Sequence, residues 1–258
     1  TCKTTYQSSD SIVEKSVFAY DTERPYNIIS KSSLCSGGAE QVERTYYSNN
    51  TIPDKEFLTT SQRSVIQLLT SRNYLTTPVQ QTMEKKDKRL YSVLRGYSSS
   101  LSSGMVVEDQ YYCKGTDKYE KRISYNKYDI YGNPVYINKD GAEKVVYLWG
   151  YKGQYLLAEI KGATYEEVKK ALMVDPASMS SCILPSMPLY LDMIDNLYKA
   201  LPSALITSYT YHPLIGISGI ISPNKAKTTF EYNSDSQLIR IKDTEGKTME
   251  EYQYHFRP

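Results

Sequence analysis

The chain has 258 residues, enough to bury a core, and its 31 basic and 29 acidic side chains nearly cancel. This balance excludes the basic surface with which proteins attract nucleic acids or anionic membranes. The longest strongly apolar stretch, residues 214–221, is far shorter than the roughly 18 residues that a membrane span needs. We therefore expect no nucleic-acid partner and no membrane span in this segment.

Tyrosine dominates the aromatic residues, with 26 Tyr against 4 Phe and 1 Trp. Many aromatic residues lie two positions apart, as in Tyr209/Tyr211, Tyr252/Tyr254 and the run 145–151. Side chains at this spacing share one face of a β-strand, and aromatic pairs across strands stabilise sheets. The pattern predicts a series of antiparallel strands carrying tyrosine.

The chain begins at Thr1 without an initiator Met, so we expect a processed product or a piece of a longer protein. The abundance of Ser, Thr and Tyr favours a secreted or surface β protein. Four cysteines are widely spaced: Cys2, Cys35, Cys113 and Cys182. No CxxC motif occurs, which excludes zinc ribbons and thioredoxin-type sites, and isolated half-buried thiols are expected. A Cys2–Cys35 bridge and a lipid anchor at Cys2 both stay open.

Residues 1–118 contain few patterns that assign a structure. Residues 18–21, Phe-Ala-Tyr-Asp, indicate a degraded copy of the repeat described below, with its return strand near residues 43–47. A helix is predicted over residues 62–72, because apolar residues recur there at helical spacing. The residues on its apolar side are Val65, Leu68 and Leu69.

An internal repeat is visible when residues 128–141 are placed beside residues 232–246. Each copy begins with Tyr and a short polar residue, continues as an apolar strand, and ends in an Asp/Gly turn followed by spaced aromatic residues. Asp140-Gly141 predicts a type I′ hairpin between strands near 133–139 and 142–151. Residues 243–246 predict the longer turn that a left-handed Gly closes, with a return strand through Tyr252 and Tyr254.

Residues 164–202 interrupt the strand pattern with two predicted helices. Thr164 and Glu167 form a capping box, and Asp175-Pro176 ends the first helix. Helices are predicted near residues 165–173 and 188–200, packed against the sheet as a helical hairpin. The packing residues are Val168, Leu172, Leu191, Ile194 and Tyr198.

The stretch YDIYGNPVYINKDGAEKVVYLWGYKG, residues 128–153, and residues 209–257 resemble the YD repeat of the Rhs family. They are similar to Rhs-like surface proteins of Bacteroides-type bacteria. The resemblance implies a long secreted or surface protein whose repeats form curved sheet, in some members a hollow shell around a toxic C-terminal domain. It also implies carbohydrate binding. The second copy departs from the pattern, with Asn233 where Asp is usual and Ser236-Gln237 where Gly-Arg is common.

These observations predict a β-dominated α+β chain of consecutive antiparallel β-hairpins that form an extended curved sheet with a helical hairpin insert. We expect one β-rich repeat region over residues 1–258. Within it, residues 119–160 form one YD-type repeat, 164–202 the insert and 206–258 a second YD-type repeat.

The sequence offers few residues for catalysis. Its two histidines are His212 and His255, so a three-His metal site is impossible, and Gly216-Ile-Ser-Gly219 lacks the Gly-x-Ser-x-Gly spacing of a nucleophile elbow. Asp192 and Asp195 are neighbours on the second helix, where we expect them on a solvated side. We expect no catalytic residue, no metal and no cofactor. The residues Asn49-Asn50-Thr51 match a glycosylation sequon, which we interpret as a polar loop.

The remaining candidate is an aromatic strip of Tyr147, Trp149 and Tyr151, since such rings can stack on sugars. Packing within the sheet is the alternative role for these rings. The sequence therefore predicts a non-catalytic scaffold segment of a large bacterial secreted or cell-surface protein, with a carbohydrate-binding module as the alternative. A carboxylate-based glycan hydrolase or lyase is a third hypothesis. The expected partners are glycans or cell-wall material and other segments of the same chain.

Overall fold

The computed structural model describes residues 2–7, 10–34, 38–100, 104–181 and 187–254, with side chains except at 2–7, 10–14, 100 and 187–191. The chain divides into two compact units, Thr1–Tyr125 and Asn126–Pro258. Strands are the most abundant regular element in both. None of the helices in the described ranges combines the length and the hydropathy of a membrane span.

The first unit is a series of strands in which each strand pairs antiparallel with the next along the chain. The strands are β1 (Cys2–Gln7), β2 (Asp10–Tyr20), β3 (Ile28–Leu34), β4 (Glu40–Tyr47), β5 (Pro78–Lys85), β6 (Lys88–Ser100), β7 (Gly104–Lys114) and β8 (Glu120–Tyr128), whose last three residues belong to the second unit. A 3-10 helix (Lys55–Phe57) and the helix α1 (Thr60–Ser71) lie between β4 and β5. The predicted return strand at residues 43–47 is confirmed as part of β4.

Helix α1 begins two residues before the predicted start because Thr59 caps it. The Thr59 hydroxyl oxygen accepts from the Gln62 N–H at 3.2 Å, and Gln62 Oε1 accepts from the Thr59 N–H at 3.1 Å. The buried side consists of Gln62, Val65, Ile66 and Leu69, whereas the predicted Leu68 is half-buried. This side packs on β6 and completes a core with Val79, Leu94 and Tyr97, among others.

The second unit repeats the same antiparallel pairing between strands that follow each other in sequence. Its strands are β9 (Pro134–Lys139), β10 (Glu143–Gly150), β11 (Tyr155–Lys161), β12 (Leu205–His212), β13 (Gly216–Ile221), β14 (Lys227–Tyr232), β15 (Leu238–Lys242) and β16 (Thr248–Glu251). The predicted β-dominated architecture of consecutive antiparallel hairpins is confirmed.

The predicted hairpin at Asp140-Gly141 joins β9 to β10. Both residues have positive φ, +49° and +71°, as a type I′ turn requires. The turn is closed by the Ala142 N–H, which donates to Lys139 O at 3.0 Å.

A second kind of turn, here called the Asx hairpin turn, occurs at residues 129–133, 233–237 and 243–247. In each, the N–H of the first residue donates to the carbonyl of the fifth, at 2.9–3.0 Å. The side-chain oxygen of the first residue also accepts from the N–H groups of the third and fifth residues, at 2.8–3.0 Å. One short polar side chain thus satisfies two backbone donors that the bend leaves without strand partners.

The fourth residue of each Asx hairpin turn adopts a left-handed conformation. Gly132 and Gly246 have φ of +85° and +81°, and Ser236 has +63°. Asn233 therefore replaces Asp in this turn without loss of a hydrogen bond, because its Oδ1 accepts from the same two backbone N–H groups as the carboxylates of Asp129 and Asp243. Ser236 retains the geometry despite its Cβ, which disfavours this region for residues other than Gly.

The return strand predicted at Tyr252 and Tyr254 is wrong in its extent. Strand β16 ends at Glu251, and both tyrosines follow it. The alternation of aromatic residues suggested a strand, but only the Tyr252 N–H still donates to a strand carbonyl, that of Ile239, at 3.0 Å. The Tyr254 hydroxyl donates to Leu238 O at 2.8 Å instead.

The helical insert lies between β11 and β12, as predicted. It comprises α2 (Tyr165–Leu172), a 3-10 helix (Pro176–Ser181) and α3 (Met187–Ala200). The Thr164 N–H donates to Glu167 Oε2 at 2.7 Å, and this bond, with that from the Thr164 hydroxyl, lowers the pKa of Glu167. The capping box therefore fixes the first turn of α2.

The insert covers one face of the sheet in the second unit. Val168, Ile194 and Leu197 are at most 1% exposed and pack with buried residues of the strands. The strand residues are Val146, Leu148, Ala158, Ile160 and Ile206. Leu172 and Tyr198 lie partly buried at the edge of this core. The side chain of Leu191, also predicted to pack here, lies outside the described residues.

Cys113 is a free thiol, 1% exposed, and burial raises its pKa. Its position agrees with an isolated thiol, more deeply buried than expected. Cys35, Cys182 and the side chain of Cys2 lie outside the described residues, and so does the Cys2–Cys35 bridge.

Asp129→Ala should lower the free energy of unfolding by about 1–3 kcal/mol, because Asp129 is 2% exposed and its donors would lose a buried acceptor. Asp243→Ala is the matched control: it removes the same two backbone bonds at a turn whose residues 244–247 are exposed, so its cost should be smaller. Urea unfolding followed by circular dichroism measures both. An equal or larger cost for Asp243→Ala would contradict the prediction.

Ile194→Ala should lower the free energy of unfolding by about 2–5 kcal/mol, since it opens a cavity beneath α3. Asp195→Ala, at the adjacent exposed position, should change it by less than about 0.5 kcal/mol. Thermal denaturation of the two variants compares them directly. If both variants have the same melting temperature as the parent chain, α3 does not dock on the sheet.

Candidate functional site

The predicted aromatic strip is divided between two environments. Tyr147 and Trp149 alternate with Val146 and Leu148 on β10, so they lie on the face opposite the helical insert. Both are half-buried. Tyr151 follows the end of β10 with φ of +52° and packs against the core on the insert side. The structure therefore brings Tyr147 and Trp149 to one face and turns Tyr151 away.

Trp149 is held by its indole N–H, which donates to Pro134 O at 2.8 Å. This bond ties β10 to the beginning of β9 and fixes the orientation of the ring. Because the ring is only half-buried, part of its surface is available for contact with a ligand. A fixed aromatic ring loses little conformational entropy when a sugar stacks on it.

Tyr151 belongs to a second group, the tyrosine cluster of Tyr151, Tyr155 and Tyr211. The ring centroids are 4.9 Å apart for Tyr151–Tyr155 and 4.6 Å for Tyr155–Tyr211. The Tyr211 hydroxyl donates to Leu156 O at 2.8 Å, and the Tyr155 hydroxyl accepts from the Leu214 N–H at 3.2 Å. Burial, the largest cause, raises the pKa of Tyr211 to about 12. These hydroxyls are engaged in holding β11, β12 and the following turn together.

A groove of about 760 Å³ crosses the strands from β12 to β15. His212 lies at its edge, exposed, with its ring edge-on to Tyr232 at 6.2 Å. The Ser218 hydroxyl donates to Thr210 Oγ1 at 2.9 Å. Within the described ranges, the Ser218 hydroxyl has no hydrogen bond to His212, so the pair lacks the contact by which His activates a nucleophile.

Among the described residues that line this groove, the one carboxylate is that of Glu231, and it is paired with cationic side chains. Glu231, in the groove, accepts from Lys242 and lies 3.8 Å from Arg240 Nη1. Asp192 and Asp195 are both exposed on α3, as expected for a solvated side. No group of three or more metal-binding side chains is found in the part of the chain that the structure describes.

The first unit contains a polar network around Asp54 that the sequence did not reveal. Asp54 Oδ2 accepts from Arg89 Nη1 at 2.6 Å and from the Tyr119 hydroxyl at 2.8 Å. Gln80, fully buried, donates to Ser92 at 3.0 Å and accepts from the Asp54 N–H at 3.2 Å. Burial, the largest cause, raises the pKa of Tyr119. Each group is engaged by neighbouring protein groups, so the network links the loop after β4 to the sheet.

A second network ties α1 to β7 and β8. Asp109, 6% exposed, accepts from Lys121 Nζ at 2.9 Å, Ser124 Oγ at 2.9 Å and Gln62 Nε2 at 3.1 Å. Gln62 lies directly over Gly96, where a Cβ would approach its amide within 2.3 Å. The only sequence signal for this contact is Gly96 itself, since a glycine inside a strand often marks a close approach.

No protein-family model matches the sequence, and no curated protein matches it. The fold is similar to part of the crystal structure of TcdB2-TccC3-Cdc42, with 11% identity, 89% of this chain and 12% of that chain covered, and a TM-score of 0.37. It is likewise similar to the Photorhabdus luminescens Tc holotoxin pore with the TccC3-D651A mutation, with 11% identity, 89% and 11% covered, and a TM-score of 0.36. The chain thus spans about 12% of the length of the first of these structures.

Tyr211→Phe should remove a group that titrates at about pH 12. Because burial raises its pKa above the value of about 10 for an unfolded tyrosine, its contribution to stability is complete below pH 10. That contribution is lost as the pH rises toward 12. The difference in tyrosinate absorbance between the parent chain and the variant measures the midpoint. A difference titrating near pH 10 would contradict the burial of this hydroxyl.

Proposed function

We propose that the chain is a non-catalytic scaffold segment of a large bacterial secreted or cell-surface protein of the Rhs/YD-repeat type. The observation that carries the proposal is the recurrence of the Asx hairpin turn at Asp129, Asn233 and Asp243 with the same backbone bonds. Asp129 and Asn233 occupy the position after Tyr in the two repeat copies. The turn therefore gives the Tyr-Asp pattern a structural reason.

A scaffold role agrees with the way in which consecutive hairpins pair. Each strand from β10 to β15 pairs with the strand before it and the strand after it, so the sheet grows one hairpin at a time. Such repeats stabilise one another through neighbouring interfaces. The partners that this arrangement favours are other hairpin segments of the same long chain.

The distribution of polar groups supports a structural role as well. The buried carboxylates of Asp109 and Asp129 and the largely buried carboxylate of Asp54 accept several hydrogen bonds from protein groups. A general acid or base needs a carboxyl group that can reach a substrate proton. These carboxylates instead join loops, helices and strands.

Truncation after Tyr232 tests the scaffold proposal, because it removes β15 and β16. We expect the remaining unit to unfold cooperatively at a lower urea concentration, with native Trp149 emission before the transition, since hairpins depend mainly on their neighbours. A truncation before Leu205 is the control. It also removes Ile206 from the core and should abolish the native emission. If the chain truncated after Tyr232 loses all native Trp149 emission, the result would contradict a modular scaffold.

Polysaccharide-cleavage assays test the non-catalytic part of the proposal. We expect no turnover by the parent chain. If the parent chain cleaves a polysaccharide and Asp192→Asn or Asp195→Asn abolishes the cleavage, the result would contradict the scaffold proposal and support the hydrolase or lyase hypothesis.

The second candidate is a carbohydrate-binding module, which the exposure of part of Trp149 beside Tyr147 favours. Stacking on these rings should be weak and nearly indifferent to salt, because screening acts on charges. A glycan array comparing the parent chain with Trp149→Ala tests it. Binding that survives the substitution would move the site away from this strip.

A further inference from the structure

A cleft of about 660 Å³ lies in the first unit between α1 and the chain that precedes it, residues 48–55. Two apolar side chains line it, Ile52 and Ile66, which are 5% and 8% exposed. The rest of the lining is polar, with hydroxyl, amide and cationic groups. The cleft is thus a polar depression beside a small apolar area.

Hydrogen bonds within the protein fix the walls of this cleft. The Thr70 hydroxyl on α1 donates to Ser48 O at 2.8 Å, and the Ser48 hydroxyl donates to Tyr74 O at 2.8 Å. Asn50 Oδ1 accepts from the Tyr47 N–H at 2.8 Å. These contacts hold the loop against the helix, so the shape of the cleft exists before a ligand arrives.

Asn49 contributes a buried acceptor that has no donor. Its Oδ1 is shielded from solvent and has no hydrogen-bond partner among the described residues. Buried polar atoms are rarely left in this state, because the loss of their hydration is not repaid. Oδ1 is out of reach of solvent in this conformation, so an O–H group of a ligand supplies the missing donor when the Asn49 side chain turns toward the cleft.

The cleft also carries positive charge without compensation. Lys55 and Arg63 line it, and no described residue of its lining is acidic. The Arg63 guanidinium is oriented by Leu58 O at 2.9 Å and Thr60 Oγ1 at 3.2 Å, neither of which neutralises it. Lys55 forms no ion pair within the part of the chain that the structure describes. Two cationic residues lining a preformed cleft attract an anion.

We propose that this cleft binds a uronic acid unit of an acidic polysaccharide. The carboxylate lies against Lys55 and Arg63, a ring hydroxyl donates to Asn49 Oδ1, and C–H groups of the ring lie near Ile52 and Ile66. A neutral sugar leaves the cations unpaired, and a simple anion without hydroxyl groups leaves Asn49 Oδ1 without a donor. This site is separate from the Trp149 strip and independent of the scaffold proposal.

Isothermal titration calorimetry of the full 258-residue chain with a galacturonic acid oligomer tests this site. The neutral galactose oligomer of equal length should bind at least about tenfold more weakly, as expected for loss of a charge-assisted contact. Lys55→Gln and Asn49→Ala should each weaken binding of the acidic oligomer about tenfold. Added salt should weaken it further.

Lys118→Gln is the matched control, because Lys118 is an exposed lysine of the same unit outside the cleft. It should leave binding unchanged, as should Trp149→Phe. Melting curves should show Lys55→Gln and Asn49→Ala folded at the titration temperature. Equal binding of the two oligomers, no binding of the acidic oligomer, or undiminished binding by both cleft variants would overturn the proposal.

Discussion

The hydrogen bonds that two backbone N–H groups donate to one short polar side chain are the interaction on which the second unit depends. A hairpin turn leaves donors that no strand can pair, and leaving them unpaired costs free energy wherever water is excluded. Asp129, Asn233 and Asp243 solve this problem in the same way. Because the turns set the register of the strands on either side, they also decide which side chains reach the core.

The two units cover one face of their strands by the same means, an amphipathic helical element that begins at a capping box. Thr59 with Gln62 starts α1, and Thr164 with Glu167 starts α2. The contacts beneath the helices differ. In the second unit the contact is apolar, centred on Ile194 and Leu197, whereas in the first unit Gln62 reaches Asp109 across Gly96. The polar contact demands exact positions of donors and acceptors, which makes it sensitive to substitution.

Tyrosine serves the structure in three ways. Hydroxyl groups such as that of Tyr211 donate to backbone carbonyls of neighbouring strands, and the rings of the tyrosine cluster pack on one another. Tyr119 completes a buried polar network around Asp54. A ring with a polar tip can lie half in the core and still pair its hydroxyl, which explains why this chain uses Tyr where other cores use Phe.

The sequence alone determined much of the local structure. The Asp140-Gly141 turn and the helix at Thr164 depend on residues near one another in the chain, and both are found as predicted. The predicted aromatic alternation of β10 holds through Trp149 and ends before Tyr151. Tertiary structure decided what depends on distant residues: the turn of Tyr151 toward the insert, the pairing of Asp54 with Arg89, and the cleft between α1 and Asn49. The spacing of residues along the chain does not predict these contacts, because they form only when strands and helices from separate segments pack together.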